Sequence, residues 1–138
     1  MGCCQSDLED ATYSNTQCEI YDFTRAKVIK VYDGDTFWIA GKHNGVVMKF
    51  KMRLFGCDCP ELKTEKGKQV RDYVCNLIQD KIITVQILSN KIYNGKKISE
   101  KYGRLLGFVW IDKINLTNHL IEKQFAVPYF GGTKSTSP

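Results

Sequence analysis

From Arg25 onward the chain falls into short runs in which apolar and polar residues alternate, the two-residue period of a strand with one buried face. Residues 26–32 alternate apolar with basic side chains, with Val28 and Ile29 β-branched, and predict a first strand. Residues 36–40 predict a second, and the Gly41-Lys42-His43-Asn44-Gly45 that follows is turn chemistry. Residues 46–54 set Val47, Lys49, Lys51 and Arg53 against Val46, Met48, Phe50, Met52 and Leu54, which predicts a half-buried strand with a cationic face. Residues 82–88 and 104–111 bring the count to five. Another period governs residues 67–80, where Val70, Tyr73, Val74, Leu77 and Ile78 make one helical stripe. A second helix is expected from about Asn115, a suitable N-cap, to about Phe125, with Leu116, Leu120, Ile121 and Phe125 inward. Pro128 and Gly131-Gly132 are expected to break regular structure. The order β-β-β-α-β-β-α fits a mainly β fold with helices, a five-stranded Greek-key barrel of the OB type.

The 138 residues suit one domain with one core. Apolar residues at 43% and charged residues at 25% are ordinary globular values, which excludes disorder of the whole chain. No apolar run approaches the roughly 18 residues of a membrane span, and no repeat or heptad is present. The net charge of +5 is unevenly placed. Residues 1–24 hold five acids and no base, so residues 25–138 carry a net +10. A small domain that basic suits a polyanion partner, although excess lysine also serves solubility alone. The chain divides into an acidic tether over 1–24, a domain over 25–132 and a polar tail over 133–138. Six cysteines form no C-x-x-C pair and no zinc spacing. Residues 1–15 lack the apolar and basic regions of a secretory signal. Free thiols in a reducing compartment are therefore expected, with a Cys57–Cys59 disulfide as a strained alternative.

Met1-Gly2-Cys3-Cys4-Gln5-Ser6 fits the N-myristoylation pattern, with Gly2 exposed after removal of Met1. One myristoyl chain binds a bilayer with only about 10⁴ M⁻¹ affinity, and the acidic tether cannot add a polybasic signal. Palmitoylation of Cys3 and Cys4 supplies the second signal. The expectation is a protein held on the cytosolic face of a membrane by N-terminal acyl chains; the bland alternative is a frayed terminus.

Three segments hold the unusual residues. Asp33-Gly34-Asp35-Thr36 lies between the first two strands; D-G is also a common hairpin turn. An EF-hand is rejected, because position 12 counted from Asp33 or Asp35 falls on Asn44 or Val46. Arg53-Leu54-Phe55-Gly56-Cys57-Asp58-Cys59-Pro60-Glu61 ends a strand and turns at Gly56 and Pro60, so Asp58 and Glu61 emerge together; a surface ion network would read the same. Lys101-Tyr102-Gly103-Arg104 opens a later strand, behind Lys91, Lys96 and Lys97, and by itself is only an exposed basic loop. His43 and His119 have no carboxylate partner or motif and are expected at the surface. Asn115-Leu116-Thr117 matches a glycosylation sequon that a cytosolic-side protein would not use.

Together D-G-D-T, R-L-x-x-x-D-x-P-E and K-Y-G-R, in that order, resemble the staphylococcal nuclease (thermonuclease) family over about residues 26–130. The resemblance implies the OB-type five-stranded barrel and a Ca²⁺ ion bound by Asp35, Asp58 and the main-chain carbonyl of Cys59. It implies that Thr36 lies beside the ion and that Asp33 supports the site from behind. Arg53 and Arg104 match the phosphate-binding arginines, and Glu61 matches the residue that activates or orients water. Lys101 and Tyr102 match substrate-side residues. The implied activity is Ca²⁺-dependent hydrolysis of phosphodiesters in DNA and RNA, leaving 3′-phosphates; a monomer with no stable protein partner is expected. The residue types suit that chemistry, since guanidinium forks match phosphate oxygens and Ca²⁺ takes oxygen ligands. The loop after Glu61 is shorter than in the bacterial enzymes. The family's last helix is expected to be missing, and the substrate-stacking aromatic is Tyr129 or Phe130. Two rivals stand beside this reading: an inactive nuclease-fold module that binds nucleic acid or protein, and a structural lipoprotein whose basic face docks on a polyanion.

Overall fold

The computed structural model describes residues 8–12, 23–89, 92–93, 96–97 and 104–129. Gly2, Cys3, Cys4, Lys101, Tyr102, Phe130 and the 133–138 tail lie outside the described residues. Strands β1 (Arg25–Val31), β2 (Thr36–His43) and β3 (Val46–Leu54) form an antiparallel meander. After β4 (Gly56–Asp58) and helix α1 (Glu65–Ile78), β5 (Ile82–Ile87) pairs antiparallel with β1. The short pair β6 (Ile92–Tyr93) and β7 (Lys96–Lys97) leads to β8 (Leu105–Ile111), which joins β5 on one side and, in parallel, β3 on the other. This last pairing closes a five-stranded barrel, as the sequence pattern predicts. β9 (Ile114–Asn115), helix α2 (Leu116–Glu122) and β10 (Val127–Tyr129) follow.

Closure depends on Gly107, which faces Leu54 on β3 and Ile87 on β5. A Cβ there would stand 2.1 Å from the Gln86 carbonyl oxygen and 2.9 Å from Met52 Cε. The barrel interior is filled by side chains such as Val28, Phe37, Ile39, Met52, Val85 and Val109, all essentially inaccessible. Helix α1 lays Val70, Val74 and Ile78 on that core. It starts two residues before the expected 67 because Thr64 caps it, accepting from the Gly67 N–H at 2.9 Å. It stops after Ile78 because Asp80 turns left-handed, with φ of 65°.

Four expectations are corrected. Strand β2 runs on to His43, so the turn shrinks to Asn44-Gly45, both at positive φ (53° and 79°), the geometry a tight hairpin needs. Val46 and Met48 do not join the core but are 56% and 42% exposed. The cause is that β1 covers β2 only as far as Ala26–Gly41, so the hairpin tip outruns the barrel. Pro128 does not end regular structure; it sits exposed in β10, the kind of edge position that a residue without an N–H tolerates. Helix α2 has the expected Asn115 cap, accepting from the Asn118 N–H at 3.0 Å, but ends at Glu122 rather than about Phe125, ahead of the left-handed Gln124.

Candidate active site

The β1–β2 loop and the segment leaving β3 meet at one end of the barrel. The loop closes on itself through Tyr32 and Asp33 N–H groups, both donating to the Thr36 carbonyl at 3.0 and 3.1 Å. The Asp35 N–H donates to Asp33 Oδ1 at 3.1 Å, and the Asp35 carbonyl accepts from the Leu54 N–H at 2.9 Å. Gly34 is required by contact: a Cβ there would lie 2.6 Å from Val70 Cγ1 and 2.8 Å from Cys59 Sγ. Asp35, thus buried at 5% exposure, has both carboxylate oxygens engaged. Oδ1 accepts from the Thr36 hydroxyl at 3.1 Å, and Oδ2 accepts from the Cys59 N–H at 2.8 Å.

Arg53 ties the second segment to the first. Its Nη1 donates to the carbonyls of Leu54 (2.8 Å) and Cys57 (2.9 Å), and its Nη2 donates to Asp58 Oδ1 at 3.1 Å. Nη1 also lies 3.5 Å from Asp35 Oδ2. One guanidinium therefore bridges both aspartates and folds the Leu54–Asp58 turn around itself. Gly56 permits that turn, with φ of 94°. These contacts use Nη1 and Nη2; of the five guanidinium N–H donors, Nε–H makes none of them.

The expected residues are distributed as follows. Asp33, Asp35, Thr36, Arg53, Asp58 and Cys59 are brought together. Arg104 precedes β8, whose Leu105 and Leu106 pair with Met52 and Arg53, so it enters at the same barrel strand. Glu61 lies on the exposed loop after the cluster, its carboxylate 3.3 Å from Lys63 Nζ. Its backbone is fixed: the Thr64 hydroxyl and N–H both donate to the Glu61 carbonyl, at 2.7 and 3.0 Å. Gly67 is obligatory beside it, since a Cβ would come 1.9 Å from that oxygen. Tyr129 stands opposite Gly56 in the β4–β10 ribbon, next to the turn that carries Asp58.

Burial and the neighbouring Asp35 charge raise the Asp33 carboxyl to about 7. The contact with Cys57, then burial and the charge of Asp35, push the Cys59 thiol strongly upward. Cys57, Cys59 and Cys75 are free thiols, so no Cys57–Cys59 disulfide forms. Protonated Cys59 is no thiolate ligand; it has its main-chain oxygen to offer. Among the described residues, no three His, Cys, Asp or Glu side chains gather as a cation cage. A metal here would rest on Asp35, Asp58, a carbonyl and water. That all-oxygen set fits a hard divalent ion, and the two carboxylates already converge on a single positive group.

Sequence reasoning missed Thr117. It is buried on α2, donates from its hydroxyl to the Phe55 carbonyl at 2.9 Å, and lies 4.0 Å from Cys57 Sγ. It pins the turn that presents Asp58. Its only sequence signal was the sequon, which the fold explains otherwise: Asn115 is a helix cap and Thr117 an internal strut. His119, expected at the surface, is half-buried and stacked on Tyr73, its Nε2 2.6 Å from the phenol oxygen. His43 is also partly covered, next to Asn44.

A closed five-stranded barrel with an arginine–carboxylate cluster at the end of its third strand defines an OB-type fold with a polar site. A sequence model described as staphylococcal nuclease homologue matches residues 51–137, and the chain belongs to that family. Two relatives, each named an uncharacterized endonuclease, from Escherichia coli O157:H7 and from Escherichia coli, are 28% identical to it over 104 residues. The match covers 75% of this chain and 60% of each relative, so the chain spans less than two-thirds of their length.

Proposed function

We propose that the chain is a Ca²⁺-dependent nuclease that hydrolyses phosphodiester bonds of DNA and RNA and leaves 3′-phosphates. The observation that carries this reading is the Arg53 bridge. It holds two aspartates around one cationic position, and a guanidinium has N–H donors in a fork that matches phosphate oxygens. Family membership and the endonuclease name of the relatives support the same class of reaction. Asp35, Asp58 and the Cys59 carbonyl would hold Ca²⁺, which when bound neutralises phosphate charge and polarises the ester. Arg53 and Arg104 bind the equatorial phosphate oxygens and meet the charge that grows on them during attack. Glu61 takes a proton from the attacking water; its exchange from Lys63 to that water is a side-chain rotation on a backbone already clamped by Thr64. Lys101 and Tyr102 contact the substrate, and Asp33 and Thr36 keep Asp35 oriented. Plasmid DNA incubated with Ca²⁺ should be cut, and chelator should stop it. Absence of cleavage with Ca²⁺ would favour the inactive-module reading.

We also propose that Gly2 is myristoylated and Cys3 and Cys4 are palmitoylated, which places the enzyme on the cytosolic face of a membrane. The motif supplies the chemistry, and the acidic tether leaves lipid as the source of attachment. In fractionated eukaryotic cells, Gly2→Ala should move the protein to the soluble fraction. A membrane-bound Gly2→Ala protein, or a soluble wild type, contradicts the anchor and leaves the nuclease reading intact.

A further inference from the structure

The outer surface of β1, β2 and β3 carries a cationic feature that the site does not use. The three strands contain seven lysines and arginines and no aspartate or glutamate. Their register aligns Lys27, Ala40 and Lys49 in one row and Lys30, Trp38 and Lys51 in the next; the following rung is Thr36 with Arg53. Lys27 and Lys30 are three residues apart and would point to opposite faces of a regular strand. The irregularity of β1 between Val28 and Lys30 turns both outward while Val28 and Val31 stay in the core. Lys49 Nζ lies 5.4 Å from the Trp38 ring centre. Lys51 Nζ lies 5.4 Å from the Tyr32 ring and 5.9 Å from the Trp38 ring. The ammonium groups are thus held over aromatic faces, and Tyr32 itself is 50% exposed.

We infer that this face is a track that guides a single-stranded polynucleotide to Arg53, with Lys27, Lys30, Lys49 and Lys51 meeting phosphates and Trp38 and Tyr32 meeting bases. The direction of delivery rests on the nuclease reading of the site. Same-face residues of a strand recur about every 6.8 Å, so Lys49, Lys51 and Arg53 form an unbroken cationic row running into the aspartate cluster. Aromatic rings interleaved with cations suit unpaired bases, which can stack, better than a duplex, whose bases are hidden. An anionic bilayer would seek the exposed apolar tip Val46, Val47 and Met48 instead, and that tip lies at the far end of the β2–β3 hairpin from Arg53.

The test uses the full-length chain in chelator, so that no strand is cut during binding. The probes are oligothymidylate and oligouridylate of about 20 nucleotides, longer than the about 4–16 nucleotides an OB barrel covers. Lys27→Gln/Lys30→Gln/Lys49→Gln/Lys51→Gln should lower affinity for both at least about tenfold and flatten the log–log salt slope by about 2.8, at about 0.7 per lost phosphate contact. Trp38→Leu should lower affinity about fivefold or more with the salt slope unchanged. With Ca²⁺, kcat/KM on a dinucleotide should stay within about twofold of wild type in both variants. Unchanged affinity and slope in the lysine variant would overturn the track. So would an equal loss on the dinucleotide, or loss of binding to phosphatidylserine vesicles with oligonucleotide binding retained. Lysine-dependent binding in a protein that never cleaves would support the track and remove the nuclease reading.

Discussion

Replacing Arg53 with methionine keeps an unbranched apolar stem and removes the bridge. In the wild type, Arg53 is 12% exposed, and its partners Asp35 and Asp58 are 8% and 14% exposed at the side chain. The substitution takes the Arg53 charge away from two nearly buried carboxylates and the Arg53 donor away from the carbonyls of Leu54 and Cys57. Removing one partner of a buried ion pair costs about 3–5 kcal/mol, since the survivors keep their desolvation penalty. The carbonyls add to that, but water at a site of this exposure offsets their share, so the net remains about 3–5 kcal/mol. For a domain of this size the midpoint of thermal unfolding should drop by at least about 10 °C in chelator. Ca²⁺ should then stabilise Arg53→Met more than it stabilises the wild type, because it replaces the charge the variant has lost. Thermal unfolding followed by circular dichroism, with chelator and with Ca²⁺, reads both effects. A variant within about 1 kcal/mol of wild type in chelator would refute the bridge as the element that holds the turn.

The barrel and the site make three more predictions. Gly107→Ala drives a methyl into the Gln86 carbonyl and should cost about 1–3 kcal/mol or more, read by denaturant midpoint; a neutral change would mean that β3, β8 and β5 can move apart freely. In cation-free protein, Asp33 with its carboxyl raised from 3.8 to about 7 favours folding most below pH about 4, and that contribution is lost as the pH rises through 7. Asp33→Asn, which keeps the oxygen that accepts from Asp35, should flatten this decline, and an unaltered pH profile of stability would contradict it. Arg104→Lys keeps the charge without the fork and should lower the cleavage rate by on the order of 10²–10³, against near wild-type turnover if charge alone suffices.

Much of this architecture was legible because long, periodic elements announce themselves. Strand β3 begins and ends where its alternation does, and α1 buries Val70, Val74 and Ile78 of the stripe, with Tyr73 and Leu77 packed at its edges. The aspartates were legible for a different reason: Asp33, Asp35 and Asp58 sit beside Gly34, Gly56 and Pro60, which fix the turns where the strands end. What was hidden has no period. β4 and β10 are three residues each, and their pairing of Asp58 with Val127 links positions far apart in the chain. The β1 irregularity that turns Lys30 outward shows only when Trp38 is seen opposite it. Thr117 became a buried strut only because α2 packs on the β4 turn, which no local pattern reports. Val46 and Met48 misled because alternation records which face a residue takes, not whether anything lies there to cover it.

The central claim is that Asp35, Arg53 and Asp58 form one phosphodiester-cleaving site. Its most direct test is the end chemistry of a labelled single-stranded oligonucleotide cut by the full chain with Ca²⁺, alongside Asp35→Ala and Asp58→Ala proteins whose circular dichroism shows them folded. The account predicts fragments ending in 3′-phosphate from the wild type and none from either variant. Undiminished Ca²⁺-dependent cleavage by a folded Asp35→Ala or Asp58→Ala protein would contradict it.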